Sequence, residues 1–391
     1  MHAALRRRIW LVGCAVVVAA LLLVVFSRLV ASQTQSDTLW ANAARSLGGW
    51  HEPFDFSIFL GAGDDVLAGG NPYSEPGTIE GPGDAPYAYP PVLAVLVAPL
   101  AVLPERVADI FVPGVAFSLL LIVAVVGALL LFGVRDWRCY PVALLYPPTV
   151  ETVEYGAVGP LLLLLVALLW YVRDRELLAG GTGALAIVLK GFLWPLALWL
   201  AMTRRIRAAA LAVVGAAVLA LASWAVVAFR GLADYPDLLR TLVDVEAENS
   251  YSALAVLRML ELPESVANVL VYLLGALLLL LAWRAARGTG SPDDRDRRSL
   301  ILVLAAALVL TPILWLHYLV LLLAPIALAR PRLSLLWLFP LVLTLFELLG
   351  WYRGWPRGDG EALVSVAAVA MAVFVVALLR PRPRVTTLAA C

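Results

Sequence analysis

Long apolar stretches, separated by short polar or charged segments, run along most of the chain. They approach the roughly 20 residues that a helix needs to cross a membrane, and they lack the polar–apolar alternation of outer-membrane β-strands. The pattern therefore predicts an all-α polytopic membrane protein with about 10–12 transmembrane helices. The stretches cover residues 9–30, 91–104, 107–134, 160–172, 177–202, 208–229, 266–283, 300–310, 313–329, 333–350 and 362–379.

The charged segments between these stretches predict an orientation. Four of them are rich in arginine, at residues 203–207, 284–298, 330–332 and 380–384, whereas residues 231–264 and 351–361 are more acidic or mixed. Arginine-rich loops stay in the cytoplasm, so both termini are expected there. Three arginines also precede residues 9–30, which we interpret as a first transmembrane helix, with a cleaved signal peptide as the alternative.

Two interpretations remain open for the middle of the chain. In the first, residues 139–150 form a short helix and residues 177–202 form a single span. In the second, residues 139–159 re-enter from outside, and residues 177–202 form a V-shaped hairpin from the cytoplasmic side. The second is preferred because it leaves the arginines at 173–175 and at 204–207 in the cytoplasm.

Composition agrees with this class of protein. The chain is 62% hydrophobic and 15% charged, against about 45–50% and about 25% in soluble domains. This excludes a soluble enzyme and a disordered chain. The net charge of +1 comes without a basic arm, so no nucleic-acid partner is expected. The three cysteines are far apart and indicate neither a disulfide framework nor a metal site.

Several acidic residues are candidates for chemistry. Asp55 is flanked by aromatic residues, which suits a partly desolvated general base, although a helix cap or an ordinary loop acid fits as well. Asp64 and Asp65 can approach a cation, but a pair supplies too few oxygens for calcium. Glu151 and Glu154 lie between two apolar segments and are either functional acids at membrane depth or loop acids.

Polar residues within or beside the apolar stretches form a second group of candidates. Lys190 needs a charge partner or a path to the interface. His317 can bind a phosphate or a sugar hydroxyl, or be a satisfied buried histidine. Arg258, which follows Asn249 in an outside loop, can pair with a phosphate.

The motifs together resemble glycosyltransferase family 87 of the GT-C superfamily, whose members use polyprenyl-phosphate sugars. The resemblance spans most of the chain in the same order. It includes alanine for the usual glutamine at 157 and glycine for the usual proline at 191. The matching segments are 69–73 (Gly-Gly-Asn-Pro-Tyr), 87–91 (Tyr-Ala-Tyr-Pro-Pro), 156–160 (Gly-Ala-Val-Gly-Pro), 189–191 (Leu-Lys-Gly), 249–258, and 311–318 (Thr-Pro-Ile-Leu-Trp-Leu-His-Tyr).

The resemblance implies one membrane-embedded GT-C-like domain over residues 1–391. Its extracytoplasmic loops are expected at residues 31–88, with interfacial helices and the catalytic acid, and at 230–265. A cytoplasmic loop is expected at 284–299. The protein would lie in the cytoplasmic membrane with its active site facing outside.

The resemblance also implies an inverting, metal-independent and cofactor-independent hexosyltransferase. Asp55 would be the general base. His317 and Arg258 would bind the donor phosphate, and the remaining substrate contacts would come from Tyr73, Tyr87, Tyr89, Glu154, Asn249, Trp315 and Lys190. The aromatic pair at 87 and 89 would line the groove for the polyprenyl chain.

The expected donor carries mannose, with arabinose as an alternative, and the expected acceptor is a glycolipid or lipoglycan beside membrane lipids. A polytopic transporter or lipid-linked sugar flippase is the competing function, and Lys190 is its best support. A non-catalytic envelope protein of the same fold is a third possibility. Nucleotide-binding loops and HExxH motifs are absent from the sequence, which argues against a nucleotide-driven pump.

Overall fold

The computed structural model describes residues 54–74, 79, 86–103, 116–246, 250–338, 341, 370–371, 373–375 and 377–378. Every regular element in this part of the chain is helical. The helices are α1 (Phe54–Leu67), α2 (Val92–Ala101), α3 (Ser118–Leu131), α4 (Cys139–Leu144), α5 (Pro147–Tyr155), α6 (Gly159–Val172), α7 (Glu176–Leu189), α8 (Pro195–Met202), α9 (Ile206–Val226), α10 (Tyr235–Glu246), α11 (Ala253–Met259), α12 (Glu264–Arg287), α13 (Pro292–Leu310), α14 (Leu323–Ala329) and α15 (Leu335–Leu338). Two 3-10 helices, Gly191–Leu193 and Leu316–Leu322, precede α8 and α14.

Two of the described helices, α9 and α12, are long and apolar enough to cross a membrane, with mean hydropathies of 2.2 and 2.4. Only 28% and 22% of their apolar windows are buried inside the protein. Leucine and valine side chains therefore cover their outer surfaces, which suits contact with lipid. The other apolar helical segments among the described residues have 10–17 residues when the 3-10 turns before α8 and α14 are counted with those helices. Breaks divide several of the stretches that the sequence presents as continuous. The expected first helix at 9–30 lies outside the described residues.

Residues 177–202 form the hairpin that the second interpretation predicted. Helix α7 ends where Lys190 adopts an extended backbone, with φ −151° and ψ 104°, and the chain returns through a 3-10 turn and α8. Arg173, before the hairpin, and Arg205, after it, both bind Asp296 near the start of α13, at 3.3 and 2.7 Å. Both ends of the hairpin therefore lie at one end of the bundle, near Arg173, Arg205 and Asp296, which we call the arginine end. The tip of the hairpin, at Lys190, lies at the opposite end.

The second interpretation was wrong for residues 139–159. Leu333 donates its backbone N–H to Asp136, which places the start of α4 beside the chain that follows α14 at the arginine end. Helix α5 ends next to the backbone of His317, at the hairpin-tip end. The segment therefore runs from one end of the bundle to the other as two short helices. Pro147 and Pro148 begin the second of these and account for the break.

Replacing Asp296 by asparagine is expected to destabilise the protein. Its carboxylate is only 11% exposed and accepts hydrogen bonds from two guanidinium groups. A charge-assisted hydrogen bond contributes about 1.5–3 kcal/mol, so the loss should appear as a lower Tm in detergent. The matched control is Asp293→Asn, whose side chain is 72% exposed and should change the free energy of unfolding by less than about 1 kcal/mol. Equal Tm values for the two variants would contradict the role assigned to Asp296.

Candidate active site

Three of the expected site residues meet at the hairpin-tip end of the bundle. Asp55 lies in the first turn of α1, Lys190 at the break in the hairpin, and His317 in the 3-10 helix after α13. His317 Nε2 lies 3.9 Å from Asp55 Oδ2, and the charges of Asp55 and Lys190 interact. These side chains come from distant parts of the sequence, and the fold brings them together.

Lys190 is held between two tyrosine rings. Its Nζ atom lies 3.7 Å from the ring centroid of Tyr89 and 4.8 Å from that of Tyr318. The two tyrosine hydroxyls are 3.3 Å apart, and the Tyr89 ring packs edge-on against Phe59 of α1. Cation–π contacts stabilise an ammonium group that has lost part of its water. The aromatic environment therefore fixes the position of the one lysine in the chain.

The environment of Asp55 suits a general base. Its side chain is 17% exposed. Burial raises the pKa of Asp55 from its ordinary value of 3.8 to about 7, and the positive charge of Lys190 opposes part of that rise. A carboxylate with a pKa near neutrality can be ionised at the working pH and still be basic enough to accept a proton. Such shifts are concentrated at functional sites.

Acidic residues of α5 form another wall of the site. Glu151 Oε2 lies 3.9 Å from His317 Nδ1, and Glu151 and Glu154 both interact electrostatically with Tyr155 at the end of the helix. The Tyr155 ring contacts Phe54 edge-on, at 6.3 Å between centroids. His317 is 5% exposed, and within the described part of the chain its Nε2 atom has no hydrogen-bond partner.

Two glycines of the segment at 156–160 position this wall. Gly156 ends α5 in the left-handed conformation, with φ 65° and ψ 35°, which glycine adopts without steric cost. Gly159 begins α6 so close to the His317 segment that an added Cβ atom would lie 2.9 Å from the carbonyl oxygen of His317. The motif therefore shapes the backbone around His317, and Ala157 within it is fully buried.

Replacing Gly159 by alanine is expected to displace the His317 backbone. If the site is catalytic, kcat should fall by about 10–100-fold, since a shift of about 1 Å at a catalytic site can have that effect. Gly181→Ala is the matched control, because a Cβ atom there meets nothing within 4 Å. That variant should keep wild-type kcat. A Gly159→Ala variant with wild-type kcat would show that the close approach is not needed.

Tyr73 and Tyr87 belong to a neighbouring aromatic cluster. The Tyr73 ring stacks on Trp224 at 5.0 Å and packs edge-on against Tyr235 at 5.3 Å. Its hydroxyl donates to the carbonyl oxygen of Tyr89. The Tyr87 hydroxyl donates to Pro90 and accepts from the backbone of α2. Tyr73 is 7% exposed and Tyr87 is 4% exposed, and the hydrogen bond from Tyr73 helps to hold Tyr89 in place.

The remaining expected residues have different outcomes. Arg258 pairs with Glu264 at 2.9 Å, and among the described residues no ion pair or hydrogen bond joins it to His317. Trp315 directly precedes the 3-10 helix of His317 and is half-buried. Asn249 lies outside the described residues, but the adjacent Ser250 accepts a hydrogen bond from the backbone of Leu314. The segment that contains Ser250 is thereby joined to the His317 segment.

The sequence interpretation missed Tyr318 and Tyr155 as site residues. Tyr318 follows His317 directly, and Tyr155 follows Glu154. Their position next to a candidate residue is the only sequence feature that could have indicated a place in the site. Asp64 and Asp65 are exposed on α1. No group of side chains with metal-binding geometry occurs among the residues that the structure describes.

Comparison with known proteins identifies the family. The sequence model of Glycosyltransferase family 87 matches residues 87–312, which is 226 of the 391 residues. No curated protein and no solved structure shows significant similarity to the chain. The match includes Tyr89, the α5 acids and Lys190, and it covers more than half of the sequence. The chain therefore belongs to glycosyltransferase family 87.

Proposed function

We propose that this glycosyltransferase transfers a sugar, mannose in the first instance, from a polyprenyl-phosphate donor to a glycolipid or lipoglycan acceptor with inversion at the anomeric carbon. The observation that carries the proposal is that an acidic group, Asp55, and a basic group, Lys190, lie in the same partly buried site. One group is suited to accept a proton, and the other to receive a departing phosphate. The two charges that an inverting transfer from a lipid monophosphate needs are thus present.

The proposed reaction is a single displacement. Asp55 accepts the proton of an acceptor hydroxyl while that oxygen forms a bond to the anomeric carbon of the donor. The bond between that carbon and the phosphate oxygen breaks on the opposite face, and the electron pair leaves with the polyprenyl phosphate. Lys190 stabilises the negative charge that grows on the leaving phosphate, and His317 Nε2 is available to hold a sugar hydroxyl or phosphate oxygen.

The proposed setting is the outer half of the cytoplasmic membrane. The whole chain would form one GT-C-like domain of about 10–12 transmembrane helices, with both termini in the cytoplasm. The arginine end would face the cytoplasm, and the site at the opposite end would face outward. Lys190 contacts two tyrosine rings and acts electrostatically on Asp55. This gives the lysine a role in a catalytic site, which favours the transferase over a transporter.

Transfer by the purified protein tests the proposal. The wild-type enzyme in detergent would receive synthetic β-linked polyprenyl-phosphate mannose and a lipid-linked mannoside, with EDTA present. We expect an α-mannoside product, identified by NMR, and no product from GDP-mannose. Transfer only from a polyprenyl-phosphate arabinose would mean that the donor sugar is arabinose and not mannose. A β-linked product, or dependence on a metal, would contradict the mechanism.

The rate of transfer is expected to rise with pH through about 7. Asp55 acts in its ionised form, and its pKa is about 7, so kcat/KM for the acceptor should fall about tenfold for each pH unit below that value. The measurement is a pH–rate profile at acceptor concentrations well below KM. An acidic limb centred near pH 4 would show that the base is a solvated carboxylate instead.

A further inference from the structure

The site has an asymmetric distribution of charge around Asp55. Lys190 lies on one side, between the rings of Tyr89 and Tyr318. Glu151 lies on another, because it approaches the Nδ1 edge of the His317 ring while Asp55 approaches the Nε2 edge. The imidazole therefore lies between the proposed base and Glu151.

We infer that Glu151, Glu154 and the ring of Tyr155 form the acceptor subsite, and that it takes an uncharged sugar with free hydroxyl groups. This inference rests on the proposed function and specifies its acceptor. Carboxylate oxygens accept hydrogen bonds from hydroxyl groups, and residues three apart on a helix share one face. An aromatic ring beside them provides an apolar surface for the face of a sugar.

His317 supplies an independent indication of a ligand at this position. It is more than nine-tenths buried, and its Nε2 atom has no hydrogen-bond partner among the described residues, although it lies 3.9 Å from Asp55. That distance is too long for a hydrogen bond. A buried polar atom without a partner is costly, and an acceptor hydroxyl between His317 and Asp55 would satisfy it next to the proposed base.

The asymmetric distribution of charge also determines on which side of the site each of the two substrates binds. A displacement with inversion needs the acceptor oxygen and the leaving phosphate on opposite faces of the anomeric carbon. Glu151 and Glu154 repel a phosphate, and Lys190 attracts one. The donor phosphate is thereby directed to the Lys190 side and the acceptor to the α5 side. The same repulsion disfavours an acceptor that carries its own phosphate near the reacting hydroxyl.

Glutamine substitutions separate this role from a structural one. We expect Glu151→Gln and Glu154→Gln each to raise KM for hexyl α-mannoside about tenfold, the effect of losing about one hydrogen bond to a charged group, with KM for the donor within about twofold of wild type. Asp244→Asn, an exposed acid on α10, is the matched control and should change neither value. An unchanged acceptor KM in both glutamine variants, or an equal rise in both KM values, would overturn the subsite.

A comparison of two acceptors with the wild-type enzyme tests the same inference without depending on whether a variant folds. Hexyl α-mannoside should be used at least about tenfold more efficiently than its 6-phosphate, and equal use would overturn the inference. Saturation-transfer NMR of the two compounds without donor repeats the comparison as binding alone. Preferential binding of the neutral compound would support the subsite even if no transfer from a polyprenyl-phosphate donor occurred. Failure of the proposed function can therefore be distinguished from failure of the subsite.

Discussion

Replacing Asp55 by asparagine is expected to lower kcat for sugar transfer by about 10²–10⁴-fold, the usual contribution of a general base. Asparagine keeps the shape of the side chain but cannot accept the proton of the acceptor hydroxyl. Because the proton moves only in the transition state, the KM values for donor and acceptor should change little. Initial rates with EDTA present, measured at several concentrations of each substrate, separate these quantities.

Asp64→Asn is the matched control for this experiment, since Asp64 lies on the same helix but is exposed. It should retain wild-type kcat. Substantial transfer by the Asp55→Asn variant would mean that another group accepts the proton. The next candidates would be Glu151 and Glu154, the two acids of α5.

Replacing Lys190 by glutamine is expected to lower kcat/KM for the donor by about 10–150-fold, the value of one charge-assisted hydrogen bond to the phosphate. The same change should move the acidic limb of the pH–rate profile to higher pH. Lys190 opposes the rise in the pKa of Asp55, so its removal raises that pKa further and the base is ionised only at higher pH. A loss of structure alone would not produce this shift.

The control for Lys190 is Arg258→Gln. Arg258 is one of the two residues, with His317, that the family resemblance assigned to the donor phosphate, but in the structure it pairs with Glu264. We expect its replacement to leave KM for the donor close to that of wild type. A larger rise in donor KM for the Arg258 variant than for the Lys190 variant would move the phosphate site to α11.

The candidate site could be predicted from sequence where a polar residue interrupted an apolar context. Asp55 between aromatic residues, Lys190 inside an apolar stretch and His317 among leucines are each costly to bury alone, and that cost made them visible. The structure brings these three residues together. The roles of Tyr318 and Tyr155 were less visible, because a tyrosine at a membrane boundary has an ordinary explanation in the interfacial belt.

Other parts could not be predicted because they depend on long-range contacts. The partner of Arg258 is decided by how α11 meets the start of α12, which no local pattern reports. The course of residues 139–159 depends on the contact between Asp136 and Leu333, 197 residues apart. The charge pattern correctly indicated the hairpin at 177–202, because arginines flank it on both sides, but the weakly charged segment at 139–159 contained no such signal.

The binding of Arg173 and Arg205 to Asp296 has a consequence for how the protein is made. Asp296 follows these arginines by 123 and 91 residues. The hairpin and both of its arginines are therefore synthesised long before their shared partner. Until α13 emerges, the hairpin is an incomplete intermediate that is too short to span the bilayer as two separate helices. Quality control of the nascent protein should therefore act late, and chains truncated before residue 296 should be degraded rather than accumulate.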